Sequence, residues 1–337
     1  MSLDIEDRAA LLDYLRGRGD LGSHQAAEVR VLPGGVSCRT VWVQLPGGEQ
    51  WILKQALAKL RVQADWFSGV ERIHREAAGL RWFNRCLPEG RTPRFVFEDH
   101  DEHVLAMTAV PMPHENWKQR MLSGQIDAAF MQQFGAILSA IHRSAEADPA
   151  AAKAAFGDQS FFETLRLEPY YAYSAEQVPQ AADFLHALIA DTRERRFALV
   201  HGDYSPKNVL IYAGRLVILD YEVIHIGDPA FDLGFSMTHL LSKALYLPEH
   251  RRALYDGAHL YWRTYLDTLG TPGWIGSLES AAVRHTLACL LARVAGRSPL
   301  EYLSAEQRQR QREIVLALIA DLPPSVPQLI AAYHDRL

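Results

Sequence analysis

The sequence predicts an α+β chain in two lobes, a small β-rich lobe over residues 1–110 and a larger, mostly helical lobe over residues 111–337. Three observations carry that prediction. Short runs rich in Val, Trp and Leu, separated by Pro-Gly-Gly turn signals, crowd the N-terminal part. Pro111 and Pro113 then interrupt the pattern. Beyond them, stretches with apolar residues at helical spacing dominate, broken by one β-rich island at residues 197–221.

Taken in order, residues 4–16 place Leu11, Leu12 and Leu15 on one face of an amphipathic helix, which Gly17 and Gly19 stop. Glu28–Leu32, Arg39–Leu45 and Gln50–Lys54 read as strands of an antiparallel meander, with turns at Pro33-Gly34-Gly35 and Pro46-Gly47-Gly48. Phe67, Val70, Ile73, Ala77, Leu80 and Phe83 fit a helix over Asp65–Arg85, and Phe95–Phe97 and Val104–Ala109 read as two further strands. In the second lobe, Ile126–His142 and Ala181–Arg195 are amphipathic helices. Ser304 with Gln307 forms a capping box for a helix running toward Leu322, and Asp228 before Pro229 reads as an N-cap.

Composition narrows the classes of function. With 337 residues, 48% of them hydrophobic, the chain can bury a sizeable core. Its longest apolar runs, such as Val315–Ala320, fall far short of the roughly 20 residues of a membrane span. Asp4, Glu6 and Asp7 stand where a secretory leader carries positive charge, so a cytoplasmic protein without a membrane partner is expected. Cys38, Cys86 and Cys289 are widely spaced and match neither a metal motif nor a disulfide framework. The formal net charge of −5 comes without a dense Lys/Arg stripe, so no nucleic-acid partner is expected.

The island holds the chemistry. It contains His201-Gly-Asp203, Ser205-Pro206, Asn208 and Asp220, with strands Val209–Tyr212 and Leu216–Leu219 around the loop Ala213-Gly214-Arg215. A turn centred on Gly214 sets Asn208 opposite Asp220, about 4.5–5.5 Å apart at Cα. Asn and Asp oxygens are the hard ligands that Mg²⁺ prefers, and Asp203 lies on the loop entering the same hairpin. A carboxylate that can take a hydroxyl proton beside a cation site is the equipment of phosphoryl transfer.

His-x-Asp-x-x-x-x-Asn followed twelve residues later by Asp resembles the catalytic loop and metal-binding Asp of kinases. His201-Gly-Asp203 with Ser205-Pro206, and the continuation Gly227-Asp228-Pro229-Ala-Phe231-Asp232-Leu-Gly234, are similar to the aminoglycoside phosphotransferase and choline kinase family. Lys54–Arg61 and Asn116-Trp117-Lys118 add a partial similarity to methylthioribose kinases. The resemblance spans about residues 26–240 and implies a bilobal protein-kinase-like fold, ATP and Mg²⁺ as cofactors, and a small-molecule hydroxyl acceptor. It implies Asp203 as catalytic base and Asn208 and Asp220 as metal ligands. For the nucleotide it implies Gly34 and Gly35 as the phosphate-covering turn, Lys54 as the phosphate-binding lysine, Glu76 as its ion-pair partner, and Thr108 and Val110 as further contacts. His201 and Asp232 are expected to shape the loop, and ATP to lie in a cleft.

Competing signals are weaker. Gly17-Arg-Gly19-Asp-Leu-Gly22 satisfies a dinucleotide fingerprint, but it follows a helix and opens toward a strand, so helix termination explains it better. His100-Asp-Glu-His103 reads as a hairpin tip, not a metal cluster, and the alternative to a functional Glu76 is that it belongs with Glu71, Arg72 and Arg75 to the ordinary surface charge of its helix. Neither a P-loop nor a Gly-x-Ser-x-Gly elbow occurs. From residue 114 onward 21 Lys and Arg face 25 Asp and Glu, so nothing demands a polycationic acceptor. A second reading, a nucleotide-binding regulatory module without turnover, predicts a missing base or ligand. A protein-directed kinase predicts an activation insert after Asp220, which is absent.

Overall fold

The computed structural model describes residues 3–33, 35–61 and 65–337. They group into two compact units, Met1–Met112 with Asp220–Glu222, and Pro113–Leu219 with Val223–Leu337. The return of residues 220–222 to the first unit is a feature that the expected division at 110/111 did not contain.

In the first unit, helix α1 (Arg8–Arg18) starts where the Asp7 carboxylate accepts from the amides of Ala9 and Ala10, and ends at Gly19 with φ 86°. The glycine motif there is thus helix termination. Strands β1 (Glu28–Val31), β2 (Cys38–Gln44), β3 (Gln50–Ala56), β4 (Phe95–Asp99) and β5 (Val104–Thr108) form one antiparallel sheet in the order β1-β2-β3-β5-β4. Alternation places Val41, Val43, Leu53, Val104 and Ala106 on the face that packs against Leu11, Leu12 and Leu15 of α1.

Helix α2 (Arg72–Cys86) begins seven residues later than its periodicity suggests. Residues 57–61 and 65–68 instead bond to each other, with Leu60 N–H donating to Trp66 O at 2.9 Å and Ser68 N–H to Ala58 O at 3.1 Å, and Phe67 is left exposed. The Arg72 guanidinium closes this loop. It donates to Ser68 O (3.1 Å), Gly69 O (2.7 Å), Leu57 O (2.8 Å), Ser37 O and the Glu222 carboxylate (3.0 Å). All five donors of the group are engaged, so Arg72 is fully buried, not surface charge.

His100 and His103 do lie at the tip between β4 and β5, where His103 and Glu98 bond the two ring nitrogens of His74 and the His74 and His100 rings stack. Glu98 also carries Arg81 at 2.6 Å as counter-charge.

In the second unit, β6 (Glu115–Asn116), β8 (Val209–Tyr212) and β9 (Arg215–Ile218) form a small sheet, while β7 (Ala198–Val200) pairs with β10 (His225–Gly227). Around them stand the helices Ala128–Arg143, Ala182–Glu194, Pro229–Tyr246, Arg251–Leu269, Ile275–Ala295 and Ala305–Ala320. Pro229–Tyr246 is the buried axis, entered through the Asp228 cap on Ala230 N–H. The capping box at Ser304 and Gln307 is formed in both directions. Among the described residues no helix is long and apolar enough to cross a membrane. All three cysteines are free thiols.

Candidate active site

The first unit presents a cation between carboxylates. Lys54 points from β3 with its Nζ 2.8 and 2.6 Å from the Glu76 oxygens and 2.8 Å from Asp220 Oδ1. Glu76 reaches it because positions 73, 76, 77, 80 and 83 of α2 form the face turned inward. Burial pulls the Lys54 ammonium down, but the Asp220 and Glu76 carboxylates more than reverse this and hold its pKa well above the usual lysine value. Burial pushes Glu76 up to about 7, with Lys54 opposing and Asp220 adding to the rise. Asp220 brings a carboxylate oxygen, the hard donor type that suits a divalent cation, to this trio.

The segment carrying Asp220 is anchored by the two residues that follow it. Asp220 has φ 71°, a left-handed conformation that a non-glycine residue holds only where its surroundings enforce it. Next to it Tyr221 is buried against Phe83 and shares a 2.6 Å hydrogen bond with Thr92, and Glu222 takes the Arg72 guanidinium.

At the predicted phosphate turn, a Cβ on Gly35 would stand 2.3 Å from Cys38 O, so glycine is required there. Gly34 lies outside the described residues. Thr108 closes β5, its hydroxyl accepting from Arg94 N–H at 2.9 Å, and Val110 follows it toward the unit boundary.

The second unit holds the loop of Asp203 and Asn208. Asp203 Oδ1 is 2.8 Å from Arg166 Nη2, and its Oδ2 accepts from Asn208 Nδ2 at 2.6 Å. The same amide nitrogen donates to Asp203 O at 3.1 Å, so both bonds use the Nδ2 end of the amide and not its oxygen. His201 Nδ1 accepts from Asp203 N–H at 3.2 Å, so the proton resides on Nε2 and is donated to Leu219 O, also at 3.2 Å. The ring is a neutral brace. Asp232 accepts from His201 N–H (2.7 Å), Gly202 N–H (2.8 Å) and His142 Nε2 (3.2 Å). Burial raises the Asp232 carboxyl, but His142 and the His201 amide outweigh it and the net shift is downward. At Gly202, φ is 78° and a Cβ would meet Val223 O at 2.8 Å, so the loop closes only with glycine.

The hairpin register differs from the expected one. Val209 pairs with Ile218 and Tyr212 with Arg215, and Leu219 N–H donates to Asn208 O, so Leu219 stands opposite Asn208. The turn is the two-residue Ala213-Gly214, with φ 48° and 73°, the left-handed pair of a tight hairpin. Asp220 follows the last pair instead of belonging to it.

Sequence reasoning missed Arg166, Arg72, Glu222 and His142. Arg166 sits on a π-helical segment, Glu163–Ala172, and no motif precedes it. Glu222 carries one signal, its place two residues after Asp220. Asn116 and Trp117 have structural roles, Asn116 capping the following helix and Trp117 lying fully buried. A cavity of about 540 Å³ bounded by His142, Lys153, Arg196 and Trp274 holds none of the predicted site residues.

The model of a phosphotransferase enzyme family matches residues 28–265. No curated protein sequence shows a significant match. Among solved structures, the chain resembles a macrolide 2'-phosphotransferase from Brachybacterium faecium at 18% identity and TM-score 0.54, covering 94% of this chain and 99% of that one. An amicoumacin kinase is similar at 14% identity and TM-score 0.60, covering 93% of this chain and 95% of that one. An ethanolamine kinase of Plasmodium vivax is similar at 11% identity and TM-score 0.57, covering 96% and 91%. The chain belongs to the phosphotransferase enzyme family, and it is an ATP-dependent small-molecule kinase with a protein-kinase-like α+β fold.

Proposed function

We propose that the chain transfers the γ-phosphoryl group of ATP to a hydroxyl of a small molecule, with Asp203 as the base. The observation that carries this is the pair of hydrogen bonds, from Arg166 and from Asn208, that fixes both oxygens of Asp203. A carboxylate held in one orientation is suited to align an acceptor hydroxyl and receive its proton. Lys54, with the Gly34-Gly35 turn, Thr108 and Val110, binds the nucleotide, and Glu76 positions the lysine. Asn208 and Asp220 hold Mg²⁺, which when bound neutralises the triphosphate.

Replacing Asp203 by Asn tests the assignment. Turnover in an ADP-release assay should fall by at least a hundredfold, while Mg·ATP binding persists. Phosphorylation near the parent rate would refute the role of Asp203. The regulatory-module reading requires a missing base or ligand, and Asp203, Asn208, Asp220 and Lys54 are all present.

A further inference from the structure

The helical unit buries a second group of charges that the catalytic loop does not use. Lys243 is fully buried, Arg293 is 8% and His239 4% exposed, and Lys118 lies beside them. Elsewhere in the chain buried cations meet carboxylates, as Arg72 meets Glu222 and Arg166 meets the partly exposed Asp203. Here the acceptor for Lys243 Nζ is the carbonyl of His239 at 3.2 Å, and Arg293 Nη1 bonds Ser298 O and Oγ at 2.8 and 3.1 Å. The carboxylate acting on the group, Glu301, pairs with Lys118 and leaves its side chain 68% exposed. Arg293 Nε, Tyr302 Oη and Ser242 Oγ are buried with no hydrogen-bond partner among the described residues.

Uncompensated buried cations are costly, and the cost is visible in their protonation. Burial pulls the Lys243 ammonium down to about 7, with Lys118 and Arg293 adding to the fall and Glu301 opposing it. Burial, then Arg293, Lys243, Lys118 and Lys207, push His239 well below the usual histidine value. Such a concentration of positive potential with unsatisfied donors is complementary to an oxyanion.

Its position ties it to the base. The Arg166 guanidinium carbon, whose group holds Asp203, lies 5.6 Å from the Tyr170 ring centroid, and that of Arg293 lies 5.1 Å from the same centroid. The two arginines are therefore no farther apart than the sum of those distances. Phe235 repeats the arrangement at 5.7 and 5.3 Å.

We infer that the cluster anchors the acceptor, and that the acceptor is a hydroxylated small molecule bearing a carboxylate or phosphate group held by Lys118, Lys243 and Arg293. This rests on the kinase reading above. In the reaction the acceptor oxygen forms a bond to the γ-phosphorus, the bond from that phosphorus to the β–γ bridging oxygen breaks, the hydroxyl proton passes to Asp203, and ADP leaves.

The test pairs acceptors that differ in charge: gluconate and glycerate, glycerol phosphate and glucose phosphate, glycerol and glucose, ethanolamine and choline. ADP release is measured for each, and calorimetric titration of the Mg·ADP-loaded protein records binding. Anionic compounds are expected to bind and turn over best, with the carboxylate and phosphate arms separating the two sources of negative charge. Lys118→Gln and Lys243→Met should each raise KM for the preferred anion by on the order of tenfold or more. Lys243→Met should also raise Tm, because it removes an unpaired buried charge, whereas a purely structural lysine would lose Tm. Preference for neutral or cationic acceptors overturns the inference and spares the kinase reading, as does absence of binding and turnover for every anion by a protein that binds Mg·ATP. Failure to bind Mg·ATP, or full activity in Asp203→Asn, sinks the kinase reading itself.

Discussion

Arg72→Met probes what holds Asp220 in place. The side chain is fully buried and its five donors meet four loop carbonyls and the Glu222 carboxylate. Methionine of similar length fills the space but leaves Glu222, itself 5% exposed, as a buried charge without its partner. Breaking such a pair costs about 3–5 kcal/mol. The upper part of that range applies, because the turn at residues 68–69 loses its donors as well. Urea unfolding should show this loss, and hydrogen exchange should localise it to residues 57–61, 65–69 and 220–222. Adding Glu222→Gln removes the stranded charge, and the double variant should recover about 1–3 kcal/mol relative to additivity. Because Glu222 lies two residues beyond Asp220, Mg·ATP affinity should fall with stability in the single variant. A cost below about 1 kcal/mol, or strict additivity in the double variant, refutes the clamp.

Three further outcomes are expected. Arg166→Met frees one oxygen of Asp203 and the Gly202 carbonyl, so kcat should drop on the order of a hundredfold with the KM for ATP little changed, as read by ADP release. Asp228 and Asp232 are both held below the usual aspartate pKa against the opposing effect of burial, Asp228 by His285 and Asp232 by His142. Their stabilisation is therefore complete above the unfolded value of about 3.9 and is lost as pH falls through the lower folded values. Denaturation followed against pH should show stability falling below about pH 4, and Asp232→Asn should flatten that slope; an unchanged slope contradicts the assignment. Ser304→Ala removes one half of a formed capping box and should cost about 1 kcal/mol by thermal unfolding.

What was legible in the sequence follows the range of the interactions involved. The strand meander and α1 rest on local alternation and on glycine or aspartate caps, and they stand within a few residues of expectation. The start of α2 was misplaced because apolar spacing at Phe67 and Val70 mimics a helix face. The choice there is made by Arg72 reaching back to residues 37 and 57, contacts that no window of sequence contains. Motif spacing pairs Lys54 with Glu76 and sets Asp203 near Asn208, and both pairs are hydrogen-bonded, whereas Arg166 meets Asp203 across a separation that only the fold closes.

The one-residue error in the hairpin has a mechanical consequence. Ala213 adopts φ 48°, unusual for a residue with a Cβ, so the sequence suggested a three-residue loop around Gly214 when the chain makes a two-residue turn. A register moved by one residue reverses the face of each side chain after it. Had Asp220 remained a strand residue opposite Asn208, its direction would be tied to the pleat of the small sheet. Ending the pairing at Leu219 and turning through φ 71° releases it from that constraint, and Asp220, Tyr221 and Glu222 instead take their positions from Lys54, Thr92 and Arg72. The carboxylate proposed as metal ligand is thus placed by the first unit's ion pairs, which is why a substitution at Arg72 is expected to register in nucleotide affinity.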